Sequence, residues 1–86
     1  MKQLPFYYCY FSFRDGGLVH DLRVRVTPSI GLEWHLYRDH EEIASLSHSG
    51  VNILIPEQLA AALSYSNVLK VYADLLAIVK PTTGTV

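Results

Sequence analysis

The sequence predicts an α+β fold: an antiparallel β-meander of three to five strands, with one or two C-terminal helices packed on one face. Three observations carry this prediction. The N-terminal half is built of aromatic-rich and alternating apolar/polar segments, which suit a half-buried strand. Turn-forming glycine, aspartate and proline separate those segments at short intervals, as in hairpins. The last third carries an apolar pattern of helical period, opened by Pro56 and stopped by Pro81.

The first strand is read over residues 5–14, and the sequence then runs Arg14-Asp15-Gly16-Gly17. An Asp-Gly pair between apolar runs signals a tight hairpin, because both central residues must tolerate positive φ. A turn at Asp15-Gly16 sets Phe13 opposite Leu18, Phe11 opposite His20, Cys9 opposite Leu22 and Tyr7 opposite Val24, an almost wholly apolar face. The other face then pairs Tyr10 with Asp21, Tyr8 with Arg23 and Phe6 with Arg25. A slip of one residue would drive the arginines into the core.

Residues 27–31, Thr-Pro-Ser-Ile-Gly, end the second strand and turn the chain. Pairing Val26 with Leu32 brings Val24 to Trp34 and Leu22 to Leu36 on the apolar face. It also brings Arg25 to Glu33, Arg23 to His35 and Asp21 to Tyr37 on the polar one. The opposed charges at Arg25 and Glu33 follow from the apolar match without being imposed, which supports the meander. Residues 38–42 read as a polar turn, 43–47 as a short fourth strand, and Val51, Ile53 and Ile55 as a fifth strand or an extended lead-in.

Pro56 opens a helix, where its missing N–H costs nothing, and Glu57 suits the positive end. A single helix to residue 80 would put Leu59 and Leu63 on one side and Val68, Val71, Leu75 and Val79 on nearly the other. The helix is therefore expected to break over residues 64–67, with Ser66 or Asn67 as the new cap. The second helix, 68–79, turns Val68, Val71, Tyr72, Leu75, Ile78 and Val79 inward. The length allows one domain, residues 1–80, and a short flexible tail, 81–86.

Composition narrows the function classes. Net charge is −1, divided as +2 over residues 1–38 and −3 over residues 39–86, so bulk electrostatic binding of nucleic acid is not expected. Charged residues make up 17% of the chain, against roughly 25% in an ordinary soluble domain, and six of ten aromatics are tyrosine. Apolar surface is thus left over for association. No apolar run reaches the ~18 residues of a membrane span. The one cysteine, Cys9, forms no intrachain disulfide, and a reducing, cytoplasmic setting is expected.

The candidate site is the sheet face away from the helices: Phe6, Tyr8, Tyr10, Asp21, Arg23, Arg25, Glu33, His35 and Tyr37. Tyrosine and arginine combine large contact area with directed hydrogen bonds, which makes them interface residues. The plainer reading is that the arginines stack on the aromatics and shield them from water. Aromatics beside arginines can also stack single-stranded bases, but Asp21 and Glu33 lie in the same patch. His20, His35, His40 and His48 raise a metal site, yet they show no HExxH or CxxC spacing. Cys9 falls on the apolar face, where a thiolate is disfavoured, and no serine sits in a GxSxG elbow. Gly16-Gly17 leads into a strand, not a helix, so it is no phosphate loop.

The expectation is a small non-enzymatic protein-binding domain without cofactor, such as an accessory or inhibitor protein that blocks a larger partner. Homodimerisation through the same face is the alternative. A histidine-based metal site, a small hydrolytic activity and a nucleic-acid binder carry less weight.

Overall fold

The structure is a computed structural model and describes residues 5–27, 30–49 and 56–79. Four strands and two helices follow in chain order: β1 (Tyr7–Asp15), β2 (Leu18–Thr27), β3 (Gly31–Arg38), β4 (Glu41–Ser49), α1 (Pro56–Ala62) and α2 (Tyr65–Val79). The strands form one antiparallel sheet in the order β1-β2-β3-β4, the expected meander, and the helices follow it. The expected fifth strand over residues 51–55 and the tail over 81–86 lie outside the described residues.

The first hairpin departs from its expected register. Tyr7 pairs with Val26, Cys9 with Val24, Phe11 with Leu22 and Phe13 with His20, so the two-residue turn is Gly16-Gly17 and not Asp15-Gly16. Every expected β1–β2 pair is therefore displaced by two positions. Both central residues take positive φ, +60° at Gly16 and +84° at Gly17, and two glycines adopt that geometry without the Cβ clash Asp15 would meet. A two-residue shift keeps every side chain on its face, so alternation cannot distinguish the two registers. The β2–β3 register is the expected one, with Arg25 opposite Glu33 and Val24 opposite Trp34.

The third connection is tighter than the polar turn expected over 38–42. Asp39 and His40 alone form it, at φ +54° and +67°, and β4 is nine residues long instead of 43–47. Leu36 pairs with Ala44 but Tyr37 with Glu42, which leaves Ile43 as the extra residue of a bulge.

The helix break falls at Leu63-Ser64, and the cap is Ser64, not Ser66 or Asn67. Ser64 Oγ accepts a hydrogen bond from the Asn67 backbone N–H at 3.4 Å, and Val68 N–H donates to the Ser64 carbonyl at 2.9 Å. Asn67 Nδ2 donates back to the Ala62 carbonyl at 2.7 Å and so satisfies the end of α1. The helices bend by 52° at this break, and among the described residues no single helix is long and apolar enough to cross a membrane.

The core joins Leu22, Val24 and Val26 of β2 to Leu32, Trp34 and Leu36 of β3 and Val68, Tyr72 and Leu75 of α2. β1 contributes less: Cys9, Phe11 and Phe13 are half-buried. On α2, Ile78 does not turn inward as expected but is 50% exposed, and Leu76 packs against the core instead. At one end of the core the Tyr72 ring stacks on Phe13 at 4.2 Å, and its hydroxyl meets Nδ1 of buried His20 at 3.2 Å. Burial raises the Tyr72 phenol pKa above its ordinary value, and the charge of Asp15 pushes it the same way.

Candidate functional site

All nine residues of the expected site share the sheet face opposite the helices; eight of them form three linked groups, and Asp21 is bonded to Ser12. Along the β1 side, Phe6 and Tyr8 meet edge to face at 5.5 Å, and Tyr10 follows 6.1 Å from Tyr8. The Arg25 guanidinium covers the Phe6 ring at 4.2 Å. In the centre, Arg23 lies between two rings, 4.9 Å from Tyr8 and 5.0 Å from Tyr37, and its Nη2 donates to the Tyr37 hydroxyl. Towards β4, His35 meets two carboxylates, Glu42 at 3.0 Å through Nδ1 and Glu33 at 3.4 Å through Nε2.

The contacts of the two arginines follow from the pleat. Residues two apart on β2 stand on one face, so Arg23 and Arg25 lie side by side with Asp21 at the end of the row. The Nε atoms of Arg23 and Arg25 are buried without a hydrogen-bond partner, the first guanidinium lying between two rings and the second over one. Both arginines are half-buried, which supports the shielding reading as far as Phe6, Tyr8 and Tyr37 are concerned. Shielding does not reach Tyr10, which remains 68% exposed.

Desolvation raises the Tyr37 phenol pKa. The positive charge of Arg23 opposes that rise, and the Glu42 carboxylate adds to it by charge and hydrogen bonding. At neutral pH Tyr37 is therefore a protonated hydroxyl held between a guanidinium and a carboxylate.

Beside Arg23 the surface dips into an open depression of about 290 Å³, lined by Tyr10, Ser12, Asp21, Arg23, Tyr37 and His40 among others. Two of these lining residues are joined, Ser12 Oγ donating to Asp21 at 2.8 Å. Three members of this face were not in the expected site. Ser12 enters because the Gly16-Gly17 turn sets it opposite Asp21. His40 enters through the two-residue turn, and Glu42 through the bulge that pairs it with Tyr37. Only the polar run over residues 38–42 hinted at the last two.

Among the described residues, no three His, Cys, Asp or Glu side chains gather closely enough to hold a metal ion. His35 is engaged by carboxylates on the outer face, while His20 is buried on the opposite, helix-covered face. Comparison of the chain with protein-family models, curated proteins and solved structures found no match.

Proposed function

We propose that this chain is a small non-enzymatic binding domain that engages another protein through its outer sheet face, in a reducing compartment such as the cytoplasm. The observation that carries this reading is the fixed Tyr8–Arg23–Tyr37 sandwich, which borders the depression and the exposed ring of Tyr10. Side chains already held in place lose little freedom on binding, so their contact area and hydrogen bonds convert to affinity efficiently. The depression offers one anionic side chain, Asp21, one cationic side chain, Arg23, and phenolic hydroxyls. That mixture suits a polar, uncharged or zwitterionic protein loop, and seating such a loop would let the domain block a larger partner.

The carboxylates favour protein over nucleic acid. Asp21, Glu33 and Glu42 share the face with the two arginines, where a phosphate backbone would need an excess of cations. The test is capture from host extract by the full chain, compared with Tyr10→Ala and Arg23→Ala variants verified to be folded. Loss of a specific protein in both variants supports the reading. An unchanged set of captured proteins overturns it.

A further inference from the structure

We infer that β1 pairs with β1 of a second copy of this chain, so that two four-stranded sheets continue into one across a two-fold axis. This inference is independent of the outer-face reading above, because it rests on the backbone edge and not on the aromatic cluster.

The two edges of the sheet differ in how they are guarded. β4 carries Glu41, Glu42 and His48, all exposed, and a bulge at Ile43. Charge and bulges are the features that keep a sheet edge from templating another strand. β1 has neither a charge nor a proline nor a bulge from Tyr7 to Phe13, and among the described residues no strand pairs its open side. The helices leave its inner face only partly covered, with Tyr7 44% exposed and Cys9 and Phe11 half-buried.

A strand that fits this edge must be uncharged along its centre on both faces, and β1 itself is such a strand from Tyr7 to Phe13. Antiparallel pairing of all nine residues with their own copy centres on Phe11. Cys9 then lies across from Phe13 of the second copy, and Tyr10 from Ser12. Arg14 and Asp15, the two charged residues of β1, fall opposite Tyr8 and Tyr7, so no like charges meet. Hydrogen bonding agrees with that centre. A two-residue turn closes on a bonded Asp15–Leu18 pair, and bonded pairs alternate along the ladder, so Tyr8, Tyr10, Ser12 and Arg14 turn their backbone groups to the open side. Centring on Phe11 pairs these four with one another. The guarded β4 edges then end the assembly at two copies, as an isologous interface requires.

Light scattering of the full chain over a concentration series should show a dimer. Ser12→Pro removes an N–H that β2 does not use, so it should give a monomer with unchanged circular dichroism. Phe11→Cys in a Cys9→Ser background places one thiol on the two-fold axis and should cross-link into a disulfide dimer on mild oxidation, whereas the unaltered chain, with Cys9 opposite Phe13, should not. A monomer at every concentration overturns the inference, whether the edge is left open or taken by a different strand. So does open-ended association, or a dimer that survives Ser12→Pro. Should Ser12→Pro fail to fold, the cysteine variant decides, and absence of a cross-linked dimer overturns the inference.

Discussion

Replacing Tyr72 by phenylalanine removes one oxygen from the core and tests how the buried His20 is held. The ring can keep its 4.2 Å stack on Phe13, so packing changes little. What is lost is the partner of His20 Nδ1, at 3.2 Å, on a histidine that is 2% exposed and whose Nε2 already has no partner. A buried polar atom left without a partner costs on the order of 1–3 kcal/mol. Tyr72→Phe should therefore lower the unfolding free energy by about 2 kcal/mol and the melting temperature by roughly 8–16 °C in a domain of this size. Replacing both partners by apolar groups removes the orphan as well, so adding His20→Leu should recover most of the loss. The assay is urea unfolding followed by the fluorescence of Trp34, the single tryptophan, which is 3% exposed. A change below ~0.5 kcal/mol in Tyr72→Phe, or a double variant equal to the sum of the singles, would refute the coupling.

Other perturbations separate core, turn and charge. Leu75→Ala, at a fully buried position, should destabilise by about 2–5 kcal/mol. Leu69→Ala, at a side chain 40% exposed on the same helix, should stay within ~0.5 kcal/mol in the same urea assay. Gly17→Ala meets nothing within 4 Å, so its cost is conformational, about 1–2 kcal/mol for an L-residue at φ +84°, read as a shift in the urea midpoint. Raised phenol pKa values at Tyr37 and Tyr72 mean the folded chain binds those protons more tightly than the unfolded chain does. Their contribution should be complete below the ordinary phenol value of 10.0 and fall as pH rises through the folded values, seen as a lower melting temperature in alkaline buffer. Glu42→Gln removes a charge that raises the Tyr37 pKa, so tyrosinate absorbance in that variant should rise at lower pH.

The sequence revealed faces more readily than registers. Leu22, Val24, Leu32, Trp34 and Leu36 alternate with charged or polar neighbours, and a period of two assigns each to the core without reference to a partner strand. The β2–β3 register was also legible, because Arg25 and Glu33 mark it by charge. Nothing comparable marks β1. Its residues from Tyr7 to Phe13 are aromatic, Cys or Ser, so registers two apart bury equally apolar faces, and only the φ demanded by the turn chooses between them. The helix break was legible from the reversal of the apolar stripe. Its cap was not, since Ser64, Ser66 and Asn67 all have capping side chains.

The outer face shows why a site can be read where its backbone pairing is misread. With Asp15-Gly16 as the turn, Arg23 would lie straight across from Tyr8 and Arg25 from Phe6; in the structure Arg23 pairs with Tyr10 and Arg25 with Tyr8. The guanidinium groups nonetheless cover Tyr8 and Phe6. An arginine leaning along the strand spans the roughly 7–8 Å to its diagonal neighbour, so a two-residue error in register lies within its reach. The His35–Glu42 contact has no such tolerance. It depends on the bulge at Ile43 that brings Glu42 opposite Tyr37, beside His35, and no periodicity announces an inserted residue. Long cationic and aromatic side chains therefore make the centre of this face predictable from composition and alternation. Its β4 rim, built by a two-residue turn and one extra residue, is fixed only by backbone geometry.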